Sequence, residues 1–319
     1  MSDSAPAGFS PAPDPLPATP AAAVSARAHR GGVLLVAGAA LLWSTGGLFI
    51  KLVPLPSLAL AGARAAVSAV FSLAVLRPDL RRARWATAIA YAATIVTFVS
   101  ATKLTTAANA IFLQYTAPAW VLLLSPWLLG EKLRRIDVIS VAVSLLGMSL
   151  FFVGKVEAGA AVGNLLGVAS GVCFGLCMLL MRRDARGADA SGNDAVASTA
   201  LGNLIAAAVT LPFLVPALRD LGALPAQAQA LALGGLVWLG VVQIGCAYLL
   251  FARGLQRVSA AEASVLTMLE PLFNPLWVLL GTGERPGPWA IAGGVIVLSA
   301  VLLRAAAMVP GAGGSRRED

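Results

Sequence analysis

The segment Thr105–Glu131, TTAANAIFLQYTAPAWVLLLSPWLLGE, is repeated in outline by Val258–Glu284, VSAAEASVLTMLEPLFNPLWVLLGTGE. A constant shift of 153 residues, which carries position 105 onto position 258, aligns the two segments without a gap. Two apolar segments that share a central proline and a closing Gly-Glu indicate a duplicated half. The matching residues are Ala107 with Ala260, Ala108 with Ala261, Ala110 with Ala263, Leu113 with Leu266, Pro118 with Pro271, Gly130 with Gly283 and Glu131 with Glu284.

The composition around these segments is typical of a membrane protein. Of the 319 residues, 58% are hydrophobic and 12% are charged, and the mean hydropathy is +0.83. A soluble domain carries about 25% charged residues, whereas an apolar run of about 20 residues is long enough to cross a bilayer. Such runs fill almost the whole chain. The sequence therefore predicts an all-α polytopic membrane protein with no room for a soluble catalytic domain.

Ten apolar runs lie between two polar tails. Residues 1–30 are rich in Ala, Pro and Ser and are expected to form a disordered cytoplasmic tail. Residues 308–319 are expected to form a second cytoplasmic tail. The first apolar run is too long for a cleaved signal peptide, so we expect it to remain as a span. The spans are predicted at 32–51, 57–76, 85–103, 105–127, 136–154, 161–181, 195–217, 230–252, 260–281 and 288–307.

The basic residues predict the orientation of the chain. If the N-terminus is cytoplasmic, 17 Lys and Arg residues lie on the inner side and 5 on the outer side, and Arg64 lies within a span. Because cytoplasmic loops are enriched in Lys and Arg, both termini are expected in the cytoplasm of a bacterial inner-membrane protein. The net charge of +8 is spread over short loops and does not indicate nucleic acid as a partner.

The duplication and the span count together predict two inverted repeats. The first repeat covers 31–155 and the second covers 159–307, and each holds five predicted spans. Because five is odd, the two halves insert with opposite topology. Inverted repeats are frequent in secondary transporters, which bind their substrate in a central cavity at the repeat interface.

Cofactor and metal chemistry is not indicated. Cys173, Cys177 and Cys246 all fall inside apolar spans, and the one histidine, His29, lies in the tail. No set of ligands or catalytic triad can be assembled from these residues, so small apolar packing is the better account of the cysteines. We therefore expect no cofactor, no metal and no enzymatic centre.

The quoted segments, the opening Ala40-Leu-Leu-Trp-Ser-Thr-Gly-Gly of the first span and Arg64 in the second together resemble the EamA-type branch of the drug/metabolite transporter (DMT) superfamily. The resemblance runs from Gly31 to about Arg304. It implies a basket of ten helices around a central cavity, and the export or import of small metabolites, as in bacterial amino-acid and metabolite exporters. The family handles many substrates, so membership does not name one.

Two charges lie deep within predicted spans, Arg64 and Glu270. A charge near the bilayer centre costs at least about 2.5–3.5 kcal/mol, so such residues face a cavity or a partner. One interpretation is contact with the substrate or a coupling proton. The alternatives are a structural Arg64–Glu270 ion pair, or an Arg64 side chain that reaches toward the outer interface.

Helix breaks and polar side chains complete the candidate site. Pro118, Pro271 and Pro275 interrupt the helical hydrogen bonds and are candidate hinges. A polar or aromatic residue within a span is expected either to line a cavity or to join two helices. Trp43, Gln114 and Tyr115 are the strongest candidates for the cavity. The sixth span carries Gly163, Gly167, Gly171 and Gly175, a spacing that favours close helix packing. The full cavity set is Trp43, Ser44, Asn109, Gln114, Tyr115, Asn203, Gln243, Tyr248, Thr267 and Asn274.

The sequence thus favours a secondary transporter that works by alternating access, with the lipid bilayer and a small-molecule substrate as partners. An amino-acid or related metabolite exporter is the leading interpretation, and Glu270 makes protons a candidate coupling ion. A channel-like facilitator and a membrane-embedded enzyme are alternatives from other classes. Other small organic solutes or drugs are alternative substrates.

Overall fold

The computed structural model describes residues 20–105, 107–151, 153, 160–186, 193–282 and 287–306. Within these ranges the chain is helical and contains no strand. The α-helices are α1 (Pro20–Ser44), α2 (Gly46–Leu52), α3 (Ser57–Phe71), α4 (Trp85–Leu104), α5 (Ala107–Gln114), α6 (Ala117–Leu129), α7 (Arg135–Phe151), α8 (Ala161–Ala185), α9 (Asn193–Gly222), α10 (Ala226–Val237), α11 (Ala247–Gly254), α12 (Ala260–Thr267), α13 (Leu269–Thr282) and α14 (Pro288–Ala306).

Within the described ranges, seven helical segments are long and apolar enough to cross a bilayer, which confirms a polytopic helical membrane protein. The three other predicted spans coincide with α7, with α12 and α13 together, and with α14, which are shorter or interrupted. The count of ten spans and the inverted repeat stay predictions. The seven segments are Ala26–Ile50, Ser57–Leu76, Trp85–Leu104, Asn109–Leu129, Ala161–Ala185, Asn193–Gly222 and Ala226–Gly254.

The two quoted segments are broken helices rather than continuous ones. The first divides into α5 and α6 at Tyr115 and Thr116, and the second divides into α12 and α13 at Met268. Each break precedes the proline by a few residues, so Pro118 and Pro271 lie in the first turn of the following helix, where a proline is tolerated. Positions 115 and 268 are related by the same shift of 153 residues as the two sequences.

The two breaks contact each other. The Tyr115 hydroxyl donates a hydrogen bond to the Thr267 carbonyl oxygen at 3.3 Å. The Thr267 carbonyl lies at the end of α12, where it has no continuing helix to bond. Tyr115 is 2% exposed, so this bond lies in the core of the molecule. The proline segments therefore meet in the interior, as expected of candidate lining helices.

Helix α8 packs against α5 and α6 through its row of glycines. A Cβ atom on Gly171 would lie 2.5 Å from Thr116 Oγ1, and one on Gly163 would lie 2.5 Å from the Leu104 carbonyl carbon. Gly167 and Gly175 approach Leu113 and Ala117 in the same way. These distances leave no room for a side chain, which confirms the predicted close-packing ridge.

Two stretches of π-helix were not foreseen from the sequence. Ser72–Leu76 follows α3, and Trp238–Cys246 connects α10 to α11. The hydrogen bonds of a π-helix span five residues rather than the four of an α-helix, and such segments are frequent at functional sites. The second stretch contains Gln243, which lines the cavity described below.

The helices define two ends of the molecule. At the first end, which we call the mouth end, α1–α2 and α4 finish, and the start of α8 contacts Leu104. At the opposite end, which we call the closed end, α8 finishes beside the start of α4, since the Thr87 hydroxyl donates to Asp184 at 2.6 Å. Gly32, in the middle of α1, lies there as well, against Gly254 at the end of α11.

Candidate functional site

A cavity of about 300 Å³ lies toward the mouth end. Its wall is mostly apolar and aromatic, and a few polar groups project from it. Ile111 of α5 and Pro271 of α13 both contribute to the wall, so each of the two broken helices borders the cavity directly. The lining residues are Trp43, Ser44, Gly46, Gly47, Ile50, Phe98, Thr102, Lys103, Ile111, Gln243, Glu270 and Pro271.

A narrow crevice of about 40 Å³ adjoins the cavity. Both spaces share Trp43, Phe98, Gln243 and Glu270, and the crevice also reaches Arg64. The two intramembrane charges of the sequence, Arg64 and Glu270, therefore border the same crevice. The crevice is lined by Trp43, Arg64, Thr94, Ile95, Phe98, Gln114, Phe174, Gln243, Ile244, Tyr248 and Glu270.

An aromatic cluster fixes the Trp43 indole. Its ring lies 4.8 Å from the Tyr248 ring, 5.1 Å from Phe251 and 5.8 Å from Phe174, in tilted or edge-on arrangements. Tyr91 continues the cluster, with its ring 4.6 Å from that of Tyr248. Such contacts are each worth about 0.5–1.5 kcal/mol beyond burial. Trp43 is therefore a rigid wall of the site.

Three buried polar atoms around this space have no hydrogen-bond partner among the described residues. They are the Trp43 Nε1 and Arg64 Nε donors and the Gln243 Oε1 acceptor. The Gln243 amide nitrogen makes only a long bond, 3.5 Å to the Trp43 carbonyl. An unsatisfied buried polar atom costs about 1–3 kcal/mol. Together these atoms offer two donors and one acceptor to a ligand.

The charges of the crevice are close but do not form an ion pair. Arg64 and Glu270 interact electrostatically, yet within the described ranges no Arg64 nitrogen lies within 4.0 Å of a Glu270 oxygen. Glu270 instead interacts with the Tyr115 side chain. Arg64 is 2% exposed, so its side chain does not reach the outer interface. Neither structural alternative for Arg64 matches this geometry.

The structure brings part of the sequence-predicted set together. Trp43, Ser44 and Gln243 line the cavity, and Gln114, Gln243 and Tyr248 line the crevice. The Gln114 amide also donates to the Ser170 hydroxyl at 2.9 Å, which joins α5 to α8. The candidate lining helices thus include α1, α5 and the π-helical stretch.

Other predicted residues bridge helices instead. The Asn109 amide donates to Thr105 Oγ1 at 3.0 Å and to Asn164 Oδ1 at 2.9 Å. The Asn203 amide donates to the Ser68 hydroxyl at 3.1 Å and accepts from the Tyr91 hydroxyl at 3.1 Å. These contacts match the alternative that polar residues join helices. The side chains of Asn274 and Pro275 lie outside the described part of the structure, as do Gly283 and Glu284.

Thr267 and Pro118 belong to the helix breaks rather than to the cavity wall. The Thr267 hydroxyl donates to the Ser264 carbonyl at 2.8 Å, within α12. Pro118 is buried in α6 and lines neither space. Their contribution is the geometry of the breaks.

Several lining residues carried no signal in the sequence. Phe98 borders both spaces, and Ile50 and Ile111 border the cavity. An apolar side chain on a membrane helix has the same pattern whether it faces lipid, protein or a cavity. Lys103 and Thr102 were foreseen only as the outer end of the third span, although a basic residue there is a recognisable candidate for a cavity mouth.

The architecture and the site define a class, a polytopic helical membrane protein with an internal cavity between broken helices. The chain belongs to the EamA-like transporter family, whose family model matches residues 30–153 and again residues 161–305. The resemblance drawn from the sequence is thereby confirmed. The family assignment indicates a transporter rather than an enzyme.

Two relatives carry transport-related names. An uncharacterized transporter of Archaeoglobus fulgidus is 26% identical over 213 residues, which cover 66% of this chain and 71% of that protein. The permease-like protein YdzE of Bacillus subtilis is 38% identical over 69 residues, which cover 21% of this chain and 86% of that protein. A crystal structure of another protein matches with a TM-score of 0.71 at 21% identity, and covers 88% of this chain and 99% of that one. It supports the fold.

Proposed function

We propose that the protein is a secondary transporter that exports small amino acids or related metabolites by alternating access. The observation that carries this proposal is the 300 Å³ cavity, placed toward one end of the molecule and bordered by a broken helix. Cavities in transporters lie between such discontinuous helices, at the interface of two repeats. The double match to the family model, at 30–153 and 161–305, supports two repeats.

The size and lining of the cavity favour small amphiphilic molecules. Small-molecule sites occupy about 300–1,000 Å³, and this cavity lies at the lower end of that range. Trp43, Phe98 and Ile111 suit an apolar body, while Gln243 and Glu270 suit a polar group. A neutral amino acid carries both features. Large lipids and polymers do not fit this volume.

Protons are the proposed coupling ion. Glu270 borders both the cavity and the crevice, where it can bind a proton and then release it to a different side when the cavity changes its access. The described residues contain no cluster of His, Cys, Asp or Glu arranged to hold a metal ion. A carboxylate next to the substrate allows one group to sense both proton and substrate.

Counterflow in proteoliposomes tests the proposal. Vesicles that hold purified protein are loaded with an unlabelled mixture of neutral amino acids and diluted into a trace of the labelled mixture. A carrier produces transient accumulation of label in excess of equilibrium, whereas a channel equilibrates without an overshoot. An enzyme converts the labelled compounds, which chromatography detects. If other organic solutes produce an overshoot and amino acids do not, the protein is a carrier and amino acids are the wrong substrate class.

Gln243→Ala provides a matched variant for this assay. It removes a lining amide without changing a charge, and Gln229→Ala removes an amide that lies outside the cavity. We expect the first variant to weaken counterflow and the second to retain it. Equal counterflow by both would show that the cavity is not the transport site.

A further inference from the structure

Arg64 is a buried cation that has no ion-pair partner in the described part of the chain. It lies on α3, is 2% exposed and borders the crevice beside Glu270 and Gln114. Its Nε atom has no hydrogen-bond acceptor. A guanidinium carries five N–H donors, and its burial without a partner is costly. The energetic cost is offset if an anion from outside the chain occupies the crevice.

The surroundings of Arg64 supply no substitute for that anion. Tyr91 lies close, but its hydroxyl donates to Asn203 Oδ1 at 3.1 Å. Glu270 interacts with Arg64 only electrostatically, at a distance greater than 4.0 Å between the Arg64 nitrogens and the Glu270 oxygens. Trp43 Nε1 is a second unpartnered donor on the same crevice. Two N–H donors and a positive charge therefore point to an oxyanion.

We propose that Arg64 is the anion-binding group of the transport site and that the substrate carries a carboxylate or a similarly small oxyanion. The inference rests on the proposed function and assigns the recognition of the substrate's anionic group to Arg64. The crevice of about 40 Å³ accommodates the anionic group, and the adjoining 300 Å³ accommodates the rest of the molecule. A cationic group on the same molecule would face Glu270, which borders both spaces. A zwitterion satisfies both charges.

The test compares carboxylates with uncharged molecules of the same shape. Purified protein in detergent is titrated with propionate and hexanoate, and separately with propionamide and hexanamide, while thermal unfolding is followed. We expect the carboxylates to raise the midpoint of unfolding more than the amides do. In Arg64→Gln the carboxylate concentration needed for half of the effect should rise about tenfold or more, and the difference from the amides should disappear.

Three control measurements separate recognition from structure. Arg64→Lys retains a charge and should retain part of the preference for carboxylates. Glu270→Gln removes the opposing charge and should strengthen carboxylate binding. Without ligand, Arg64→Gln should unfold at or above the wild-type temperature, because it removes an unpaired charge. A lower unfolding temperature for ligand-free Arg64→Gln, or equal responses to carboxylate and amide in the wild type, would overturn the proposal while leaving counterflow by the wild type unaffected.

A separate observation concerns the closed end, where contacts from four residues in or at the end of three helices converge on Glu131. Its Oε1 accepts from Arg182 Nε at 3.3 Å and from Arg186, and its Oε2 accepts from the Ser125 hydroxyl and the Ala260 N–H, each at 3.3 Å. Glu131 and Arg182 are each 13% exposed at the side chain. The contacts connect the end of α6 with the end of α8 and the start of α12.

Arg182 and Arg186 extend this cluster to neighbouring backbone. Arg182 also donates to the Leu255 carbonyl, and Arg186 donates to the Leu129 carbonyl at 3.0 Å. Gly130 adopts a left-handed conformation, with φ of 62°, and ends α6 immediately before Glu131. The closing Gly-Glu of the quoted segment therefore directs a carboxylate to a junction between the two proposed halves.

We infer that the Glu131–Arg182–Arg186 cluster is a latch that holds the closed end shut while the cavity is accessible from the mouth end. Alternating access requires α6 to separate from α8 and α12 at this end. Because each half-buried charge pair exchanges its partner for water when it opens, the latch can release without an unpaired buried charge. The inference rests on alternating access, but its test needs no substrate.

The native thiol of Cys177 reports on the latch. Cys177 is 0% exposed and lies on α8 between the crevice residue Phe174 and Arg182. In a variant with Cys173→Ala and Cys246→Ala, Glu131→Gln should increase the rate of Cys177 labelling by a small hydrophilic maleimide about tenfold or more. Asp79→Asn breaks an exposed ion pair at the same end and should leave that rate unchanged.

A second thiol distinguishes latch opening from general loosening. Thr102→Cys, in a chain without native cysteines, places a thiol in the cavity wall near the mouth. If Glu131→Gln shifts the protein toward the opposite access, labelling at position 102 should slow while labelling at 177 accelerates. Acceleration at both positions would indicate loosening and overturn the latch. Unchanged labelling at both would overturn it as well.

Discussion

At the scale of single residues, the site depends on a few polar groups held in an apolar surround. Trp43, Gln243 and Glu270 were foreseen from the sequence because polar or aromatic groups are rare inside spans, and all three border the cavity. Phe98 and Ile111 were not foreseen, because the sequence of an apolar helix does not show whether a given apolar side chain faces lipid, protein or a cavity. Asn109 and Asn203 were predicted to line the cavity because they are polar, but their side chains form hydrogen bonds between helices instead. Whether the predicted residues bind substrate stays a prediction.

Tyr115 provides the most direct residue-level test of the broken helices. Tyr115→Phe removes only the hydroxyl that donates to the Thr267 carbonyl, and a hydrogen bond of this kind contributes about 0.5–1.5 kcal/mol. We expect reduced transport with nearly unchanged protein in the membrane, because the junction of the breaks loosens while the packing remains. Counterflow and the amount of inserted protein are measured together. Loss of inserted protein in Tyr115→Phe would instead assign Tyr115 to folding.

Gln114→Ala should likewise impair transport and leave insertion nearly unchanged, because the amide borders the crevice. Ser170→Ala is its matched control, since it removes the hydrogen-bond partner of Gln114 but no lining residue. A role in the site predicts that only Gln114→Ala reduces counterflow. Equal losses in both variants would mean that the Gln114–Ser170 bond is structural.

Glu270→Gln separates proton coupling from binding. Glutamine keeps the shape of the side chain and its capacity for hydrogen bonds, but it cannot exchange a proton in this pH range. If Glu270 binds the coupling proton, the variant should lose accumulation driven by a pH gradient and retain exchange of substrate. Accumulation against a gradient by Glu270→Gln would contradict coupling through this residue.

At the scale of helices, the sequence foresaw the apolar runs and the proline segments but not where the helices break. The breaks lie before Pro118 and Pro271, since a proline disturbs the carbonyls of the preceding turn and fits the first turn of a new helix. The π-helical Trp238–Cys246 was not predicted, because its one-residue insertion changes no recognisable periodicity in a stretch that is apolar except for Gln243. The glycine ridge of α8 was predicted, because a spacing of four residues is itself the signature of close packing.

Gly171→Ala tests that ridge. The Cβ of an alanine at this position would lie 2.5 Å from Thr116 Oγ1 and 2.8 Å from the Leu113 carbonyl oxygen. The Leu113 carbonyl belongs to the backbone and cannot move away by a change of rotamer. We expect a loss of about 1–3 kcal/mol in stability, as for other overpacked sites. Gly234→Ala is the control, since a Cβ there meets nothing within 4 Å and alanine favours helix. Thermal unfolding in detergent should fall for the first variant and remain or rise for the second.

At the scale of the whole molecule, the two broken helices run in opposite directions. The start of α12 lies at the end of α6, where the Ala260 N–H donates to Glu131, and the end of α12 lies beside Tyr115 at the start of α6. Equivalent sequences placed antiparallel support an inverted repeat, which was inferred from an odd number of spans in each half. The span count depends on α7, α12–α13 and α14, whose short helices do not establish a crossing by themselves.

The predicted topology can be tested at Gly287. The count of 17 basic residues on one side against 5 on the other places this position on the periplasmic side, and in the structure it is exposed with no atom near its Cβ position. In a chain that lacks Cys173, Cys177 and Cys246, Gly287→Cys should react with an impermeant thiol reagent in intact cells. Arg81→Cys, in an exposed segment predicted to be cytoplasmic, should react only after permeabilisation. If position 81 reacts in intact cells and position 287 only after permeabilisation, the predicted orientation of the chain is wrong. If both positions react from the same side, the two halves do not insert with opposite topology.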